Sequence, residues 1–277
     1  MVTINPLEVI LWTFRRNEKD VINLYDSLSP VMQAATGGFM LNFGFWDEIN
    51  HEPLSAQKNM CNFFGKFAEL ESAKIILDVG SGLGAPAVFW RNFYPKINLN
   101  CVNINFNQLK FSDSEKNIEF INSTSTKLPF LDNSVDRVLA LESSQHFKPF
   151  KDFISESRRV LKKSGVLALA LPVTISNSTL KGLGILKFTW SSEHYGLDFI
   201  KKVVIDNGFT IKDELLIGSK VYDPLCNYYV DNRKILKKSI EQQYSGFVEK
   251  ILFKSLLKMK KASEEKIIDY LLLKCKL

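Results

Sequence analysis

Apolar and polar positions change rhythm along the chain, and the changes mark out elements. Up to about residue 62 the pattern is helical, broken by Thr36-Gly37-Gly38 and by the aromatic stretch LNFGFWDE. Residues 75–79 (IILDV) form a continuous apolar run that ends in an aspartate and glycines, as a strand buried on both faces does. A helix follows over 85–93, with Pro86 in its first turn, where a missing N–H costs little. Further strands are predicted at 99–104, 118–121 and 135–140, the last introduced by Asn133-Ser134. A helix over 151–162, with Phe153, Ile154, Val160 and Leu161 apolar, stops at Lys-Lys-Ser-Gly. A fifth strand at 165–172 (GVLALALP), a helix over 192–207 ending at Gly208, a sixth strand at 209–217 and a seventh at 267–275 complete the series.

Strands alternating with helices imply βαβ units. The expected fold is therefore α/β, a doubly wound, seven-stranded, mostly parallel sheet with helices on both faces. Some fifty residues of helical pattern separate strands six and seven, too many for a simple connection. They read as an inserted helical cap. The expected organisation is an N-terminal helical lid over 1–62, a core over 63–222, the cap over 223–264 and the final core strand over 265–277. Within the cap, Phe247, Val248, Ile251, Leu252 and Leu256 recur at helical spacing, while Lys250, Lys254 and Lys258 take another face.

Composition narrows the class. Of 277 residues, 45% are hydrophobic and 24% charged, so a full core is available and disorder is not expected. The four cysteines, Cys61, Cys101, Cys226 and Cys275, form no CxxC pair and lie near no histidine cluster. That argues against zinc or any other metal and against a disulfide scaffold, and suits the cytoplasm. No stretch has the uncharged span of about 18 residues that a membrane helix requires. The net charge of +6 gathers in lysines after Arg233. A solvated helix face accounts for them and no nucleic-acid partner is expected, while peripheral contact with a membrane stays open. Oligomeric state is not encoded in any pattern seen here.

The densest local signal is Asp78-Val79-Gly80-Ser81-Gly82-Leu83-Gly84. Close-spaced glycines after a strand let the backbone turn sharply and approach a ligand, and the next helix offers free N–H groups. A purely structural turn uses similar residues. The spacing is GxGxG, not the GxGxxG of dinucleotide sites, which counts against a nicotinamide-dependent reductase. Asp78 stands where a carboxylate can meet a ligand's ammonium group or order the loop. These residues resemble motif I of class I S-adenosylmethionine-dependent methyltransferases, in particular the branch that methylates small natural products, and the similarity continues in order to about Leu171.

The resemblance implies a Rossmann-like methyltransferase fold and S-adenosylmethionine as cofactor, bound by Asp78, Gly80, Gly82 and Gly84. In CVNINFNQL it implies that Asn103 meets the ribose hydroxyls, with Ile104, Asn105 and Gln108 nearby; most of the family carries an acid at the position of Asn103. In the segment INSTSTKLPF the place of an adenine-binding acid and the following amide falls on Thr124 and Ser125. Asp132 and Asp136 read as turn and loop residues. LALESSQHF resembles the segment after strand four, placing Glu142 near the methionine end and making His146 the candidate base. Histidine titrates near neutrality and can take a proton from a hydroxyl acceptor, although a loop histidine can also merely cap or pack. Related enzymes often supply an acidic partner after strand five, where this chain has Leu171-Pro172. His51 and His194 read as surface residues.

GGFMLNFGFWDE is similar to the lid of natural-product O-methyltransferases, and LYDSLSP to the segment preceding it. Tyr25, Phe43, Phe45 and Trp46 are thus candidates to cover the cofactor and shape a dry acceptor pocket; packing of a helix onto the sheet is the alternative. The expected activity is methylation of a hydroxyl on a small, partly apolar acceptor such as a sugar or polyketide. Methylation of a lipid, quinone or amine at a membrane surface, and non-catalytic binding of S-adenosylmethionine, are the alternatives.

Overall fold

The two most continuous apolar runs become interior strands of a seven-stranded sheet. The structure, a computed structural model, describes residues 15–110, 117–175, 182–189 and 193–277. Its strands are β1 (Ile75–Val79), β2 (Asn98–Asn103), β3 (Ile118–Asn122), β4 (Val135–Leu141), β5 (Leu161–Thr174), β6 (Thr210–Leu216) and β7 (Ile268–Lys276), in the order β3-β2-β1-β4-β5-β7-β6. Strands β1 to β5 pair in parallel. Strand β7 runs antiparallel to both β5 and β6, which puts β6 on the edge. The polar composition of β6 (TIKDELL) suits that exposed position.

Side chains alternate between the two faces with period two. Ile76, Leu99, Leu139, Ala168, Ala170, Tyr270 and Leu272 enter one core, where Met60, Phe64, Trp90 and Tyr222 pack. Leu77, Val79, Val138, Leu167, Leu169 and Leu271 enter the other, against Phe150, Phe153, Ile200 and Val204. The small Ala168 and Ala170 leave room for the large rings on the first face. There lie α2 (Pro53–Phe67), α3 (Ala85–Phe93), α6 (Tyr222–Glu241) and α7 (Gly246–Glu264); on the other lie α4 (Phe150–Val160) and α5 (Leu197–Asp206). Helix α5 is shorter than its sequence pattern suggests, and Ser192, the expected start, lies outside the described residues.

Helix α1 (Glu18–Thr36) is capped by Asn17, whose side chain accepts from the Asp20 N–H, and ends at Gly37 in the left-handed conformation, where the Thr-Gly-Gly signal lies. Helix α2 carries the position 62/63 in its interior, so the lid boundary expected there does not coincide with a break in structure. Helices α6 and α7 form a hairpin between β6 and β7. Glu249, 1% exposed, pairs with Arg233 at 2.8 Å, and the Arg233 guanidinium lies 3.5 Å from the Phe253 ring centre. Removing the Arg233 charge would leave the Glu249 carboxylate buried and unpaired, whereas Arg233, partly exposed, keeps access to water. Among the described residues no helix is long and apolar enough to cross a membrane.

Candidate active site

Strand order reverses between β1 and β4, and ligands of such sheets bind outside the carboxyl ends of the strands at that point. A cavity of about 730 Å³ lies there, walled by the glycine loop, the ends of β2 and β4, α1, and the α6–α7 hairpin. The loop is shaped by backbone geometry. Gly80, Gly82 and Gly84 all have positive φ. The Gly80 and Ser81 N–H groups donate to the Val102 carbonyl, at 2.7 and 3.2 Å. A Cβ on Gly80 would fall 2.4 Å from the Ser143 Cβ, whereas one on Gly82 would meet only Leu41, at 3.6 Å. Ser143 Oγ donates to the Val79 carbonyl at 2.6 Å and closes the crevice between the two strands. Gly82 therefore presents open backbone to the cavity, as a cradle for a nucleoside-type ligand requires.

Asp78 does not line this cavity; it lies under the loop, 2% exposed, opposite Cys101 and Leu139 in register. Its Oδ2 has no hydrogen-bond partner among the described residues, and burial raises its pKa to about 7. Gly84 also stands off the cavity wall, as the cap of α3. Gln145 Oε1, on the wall, is likewise buried without a partner. An unsatisfied buried polar atom costs about 1–3 kcal/mol, which a ligand reaching Gln145 Oε1 on the wall recovers. The open loop, the buried carboxylate beneath it and the orphaned Gln145 oxygen fit a cationic, amino-acid-bearing nucleoside.

At the end of β2, Asn103 Nδ2 donates to the Gly82 carbonyl (3.0 Å) and to Gln108 Oε1 (2.9 Å), and its Oδ1 accepts from the Asn105 N–H. Asn103 thus props the glycine loop as well as bordering the cavity, which Ile104, Gln108, Thr124 and Ser125 also line. The remaining partners come from α1. Gln108 Nε2 donates to Ser29 Oγ, Asn105 and Asn107 donate to the Asp26 carboxylate, and Thr124 Oγ1 donates to Glu18 Oε1. An acid does stand at the place where Thr124 breaks the family pattern. It is Glu18, 106 residues earlier in the chain, and no local sequence signal marks it.

The β4 end brings together Glu142, Gln145 and His146. Glu142 has φ of 50°, and its Oε1 accepts from the Phe43 N–H and the Tyr270 hydroxyl, both at 2.9 Å. Burial raises its pKa to about 8. His146 Nε2 lies 2.8 Å from the Tyr25 hydroxyl, with the rings edge-on. Burial and the nearby Glu142 push the Tyr25 phenol above its ordinary value, so it keeps its proton and donates to Nε2 in the imidazole tautomer that carries its own proton on Nδ1. No acid stands after β5, where Pro172 lines the cavity, and the described partners of His146 Nε2 are this tyrosine from α1 and the Gln145 amide.

The aromatic stretch divides. Phe43 lines the cavity, edge-on to Tyr222. Phe45 and Trp46 do not, which corrects the expectation that they cover a ligand. Gly44 lies so close to α2 that a Cβ would approach the Ala56 Cβ to 2.8 Å, and the chain is pressed against that helix. Phe45 then stacks on Phe63 at 4.7 Å, while Trp46 packs beside Tyr228 with Nε1 donating to the Phe43 carbonyl. His194 is also corrected: it is buried, and desolvation lowers its pKa to about 4. His51 is exposed. Asp132 and Asp136 lie away from the cavity, the first paired with Arg159, the second with Lys162 and accepting from the Lys74 and Ile75 N–H groups.

Residues 77–169 match the family described as a methyltransferase domain. Erythromycin 3''-O-methyltransferase of Saccharopolyspora erythraea is 28% identical over 166 residues, covering 57% of this chain and 54% of that enzyme; the chain thus spans about half the length of that relative. Methyltransferase GfsG of Streptomyces halstedii is 26% identical, covering 64% of this chain and 68% of its own. Among solved structures, a putative sarcosine dimethylglycine methyltransferase from Galdieria sulphuraria superposes with a TM-score of 0.77 at 16% identity, over 90% of this chain and 97% of the other, a likeness of fold. Sequence match, strand order and the glycine loop agree: residues 77–169 are similar to a methyltransferase domain, and they supply the glycine loop and the point where strand order reverses.

Proposed function

We propose that the protein transfers a methyl group from S-adenosylmethionine to a hydroxyl of a small, partly apolar acceptor. The observation that carries this reading is the Gly80–Gly84 loop, with three positive-φ glycines and a buried Asp78 carboxylate beneath, opening onto a cavity that also holds His146. The O-methyltransferase among its relatives supports a hydroxyl as the methylated group.

When bound, S-adenosylmethionine supplies an electrophilic methyl group; the protein contributes orientation, exclusion of water and proton handling. The glycine loop would hold the methionine portion, with Asp78 compensating its positive charge from below. Asn103, Gln108, Thr124 and Ser125 border the nucleoside space, with Glu18 as the acid facing the adenine. Helix α1 and the stretch through Phe43 act as the lid. His146 takes the acceptor hydroxyl's proton at Nε2, exchanging the Tyr25 hydrogen bond for one to the acceptor. Four buried, free cysteines suit the cytoplasm proposed for it.

Titration calorimetry with S-adenosylmethionine tests the donor site: wild type binds, and Gly82→Arg, which fills the open cradle, does not. Equal affinities would remove the assignment. Isotopically labelled methyl donor in cell extract, followed by mass spectrometry, identifies the product. A second reading, a lipid, quinone or amine acceptor met at a membrane surface, draws on exposed Lys250 and Lys254 beside exposed Phe247 on α7. Flotation with anionic vesicles that weakens with added salt would favour it.

A further inference from the structure

The cavity has two unlike ends. Near the glycine loop its wall carries side-chain amides and hydroxyls. Between α6, α7 and the helical turn at 186–189, the described lining residues carry no charge, and Leu225, Leu236, Val248, Ile251 and Leu252 are representative. The hydroxyls at that end are already engaged. Ser255 Oγ donates to the Ile251 carbonyl and Thr189 Oγ1 to the Ile185 carbonyl. Tyr229 faces Glu249, and the Glu52 carboxylate lies near enough to Tyr228 to raise its pKa. Phe247 and Phe188 line the same end and stay 55% and 43% exposed, leaving apolar surface for a ligand to cover.

S-adenosylmethionine, polar along its length, has nothing to satisfy there. A polyhydroxylated acceptor would lose hydration without gaining partners, at a cost of several kcal/mol per buried unpaired group. Dry cavities lined by Leu, Ile and Phe take hydrocarbons instead. We propose that the α6–α7 end is an acceptor subsite for a hydrocarbon chain or apolar ring system, so that the acceptor is a hydroxylated amphiphile and not a free sugar. The identity of the reacting end rests on the methyl-transfer reading above; the apolar subsite rests on the wall alone.

The test uses the full chain with S-adenosylhomocysteine, titrated with linear primary alcohols from hexanol to dodecanol and with methyl glucoside. Affinity rises about fourfold per added methylene, the value for complete burial of a CH₂ group, until the space is filled. Methyl glucoside shows no binding. Ser255→Trp, which intrudes from α7, weakens dodecanol at least tenfold and leaves S-adenosylhomocysteine affinity within twofold. A flat chain-length series, or methyl glucoside binding as tightly as octanol, while S-adenosylhomocysteine still binds, overturns this inference alone. An alcohol series with the expected slope but no S-adenosylhomocysteine binding upholds the subsite and defeats the donor assignment. If Ser255→Trp fails to fold, the wild-type series still decides.

Discussion

The glycine-loop end of the cavity and its helical-cap end are made in opposite ways. The first is backbone and polar side chains within a few residues of strand ends: Gly80, Gly82, Asn103, Ser143, His146. The second is carbon, carried on two helices whose stripe Phe247, Val248, Ile251, Leu252 and Leu256 turns toward the cavity while Lys250 and Lys254 face solvent. Local backbone geometry can build a polar cradle from contiguous sequence, because the cradle is a turn. An apolar pocket needs several elements facing one another, so it exists only once the chain has folded. The two ends therefore respond differently to substitution.

The largest expected effect lies between them. His146→Ala lowers kcat by about 10²–10⁴-fold, the range for loss of a general base, with donor affinity unchanged by calorimetry. Full turnover across pH would show that the acceptor is activated in another way. Gly80→Val comes next. A β-branched residue at positive φ, clashing with Ser143, combines about 1–2 kcal/mol of left-handed strain with about 1–3 kcal/mol of overpacking, so donor affinity falls about 100-fold. Gly82→Ala, with open space before it, falls much less; equal losses would erase the distinction drawn between these glycines.

Third is a pH effect. The folded pKa of Asp78 lies above its ordinary value of 3.8, at about 7, so the carboxylate is protonated more readily in the fold than in the unfolded chain. Its contribution to stability is complete below about pH 4 and lost as pH rises through 7. A cationic donor favours the ionised form, so donor affinity increases across the same window, by at most about tenfold per unit, and Asp78→Asn flattens the profile. Affinity that falls with rising pH would place the donor's charge elsewhere. Tyr25→Phe removes the phenol that the acceptor must displace from His146 Nε2, so KM for the acceptor falls about fivefold while kcat and donor affinity stay unaltered. Smallest is Glu18→Gln, which weakens donor binding about threefold and leaves kcat at saturation unchanged.

The strands and the glycine loop were legible because their signals are local. IILDV followed by GxGxG announces a buried strand and a tight turn within ten residues, and GVLALALP announces another interior strand. The insertion of β7 between β5 and β6 was not, since hydropathy carries no information about neighbours in a sheet. Phe45 and Trp46 carry the same aromatic signal as Phe43, but only close packing of Gly44 on α2 decides which of them turns inward. Glu18 and the Tyr25–His146 pair join residues more than 100 positions apart. His194 looked like a surface histidine and is buried, for the same reason.

One consequence follows from how α1 is fastened. Glu18, Asp26 and Ser29 hold it to Thr124, Asn105, Asn107 and Gln108, while Tyr25 on the same helix holds His146. Under the proposed methyl transfer, whatever loosens the helix to exchange the spent nucleoside also withdraws the tyrosine from the histidine, so the pair proposed to handle the proton is intact only while the nucleoside compartment is shut. Departure of the used donor, in such an arrangement, resets the acceptor side as well, and each catalytic cycle begins with a single refastening.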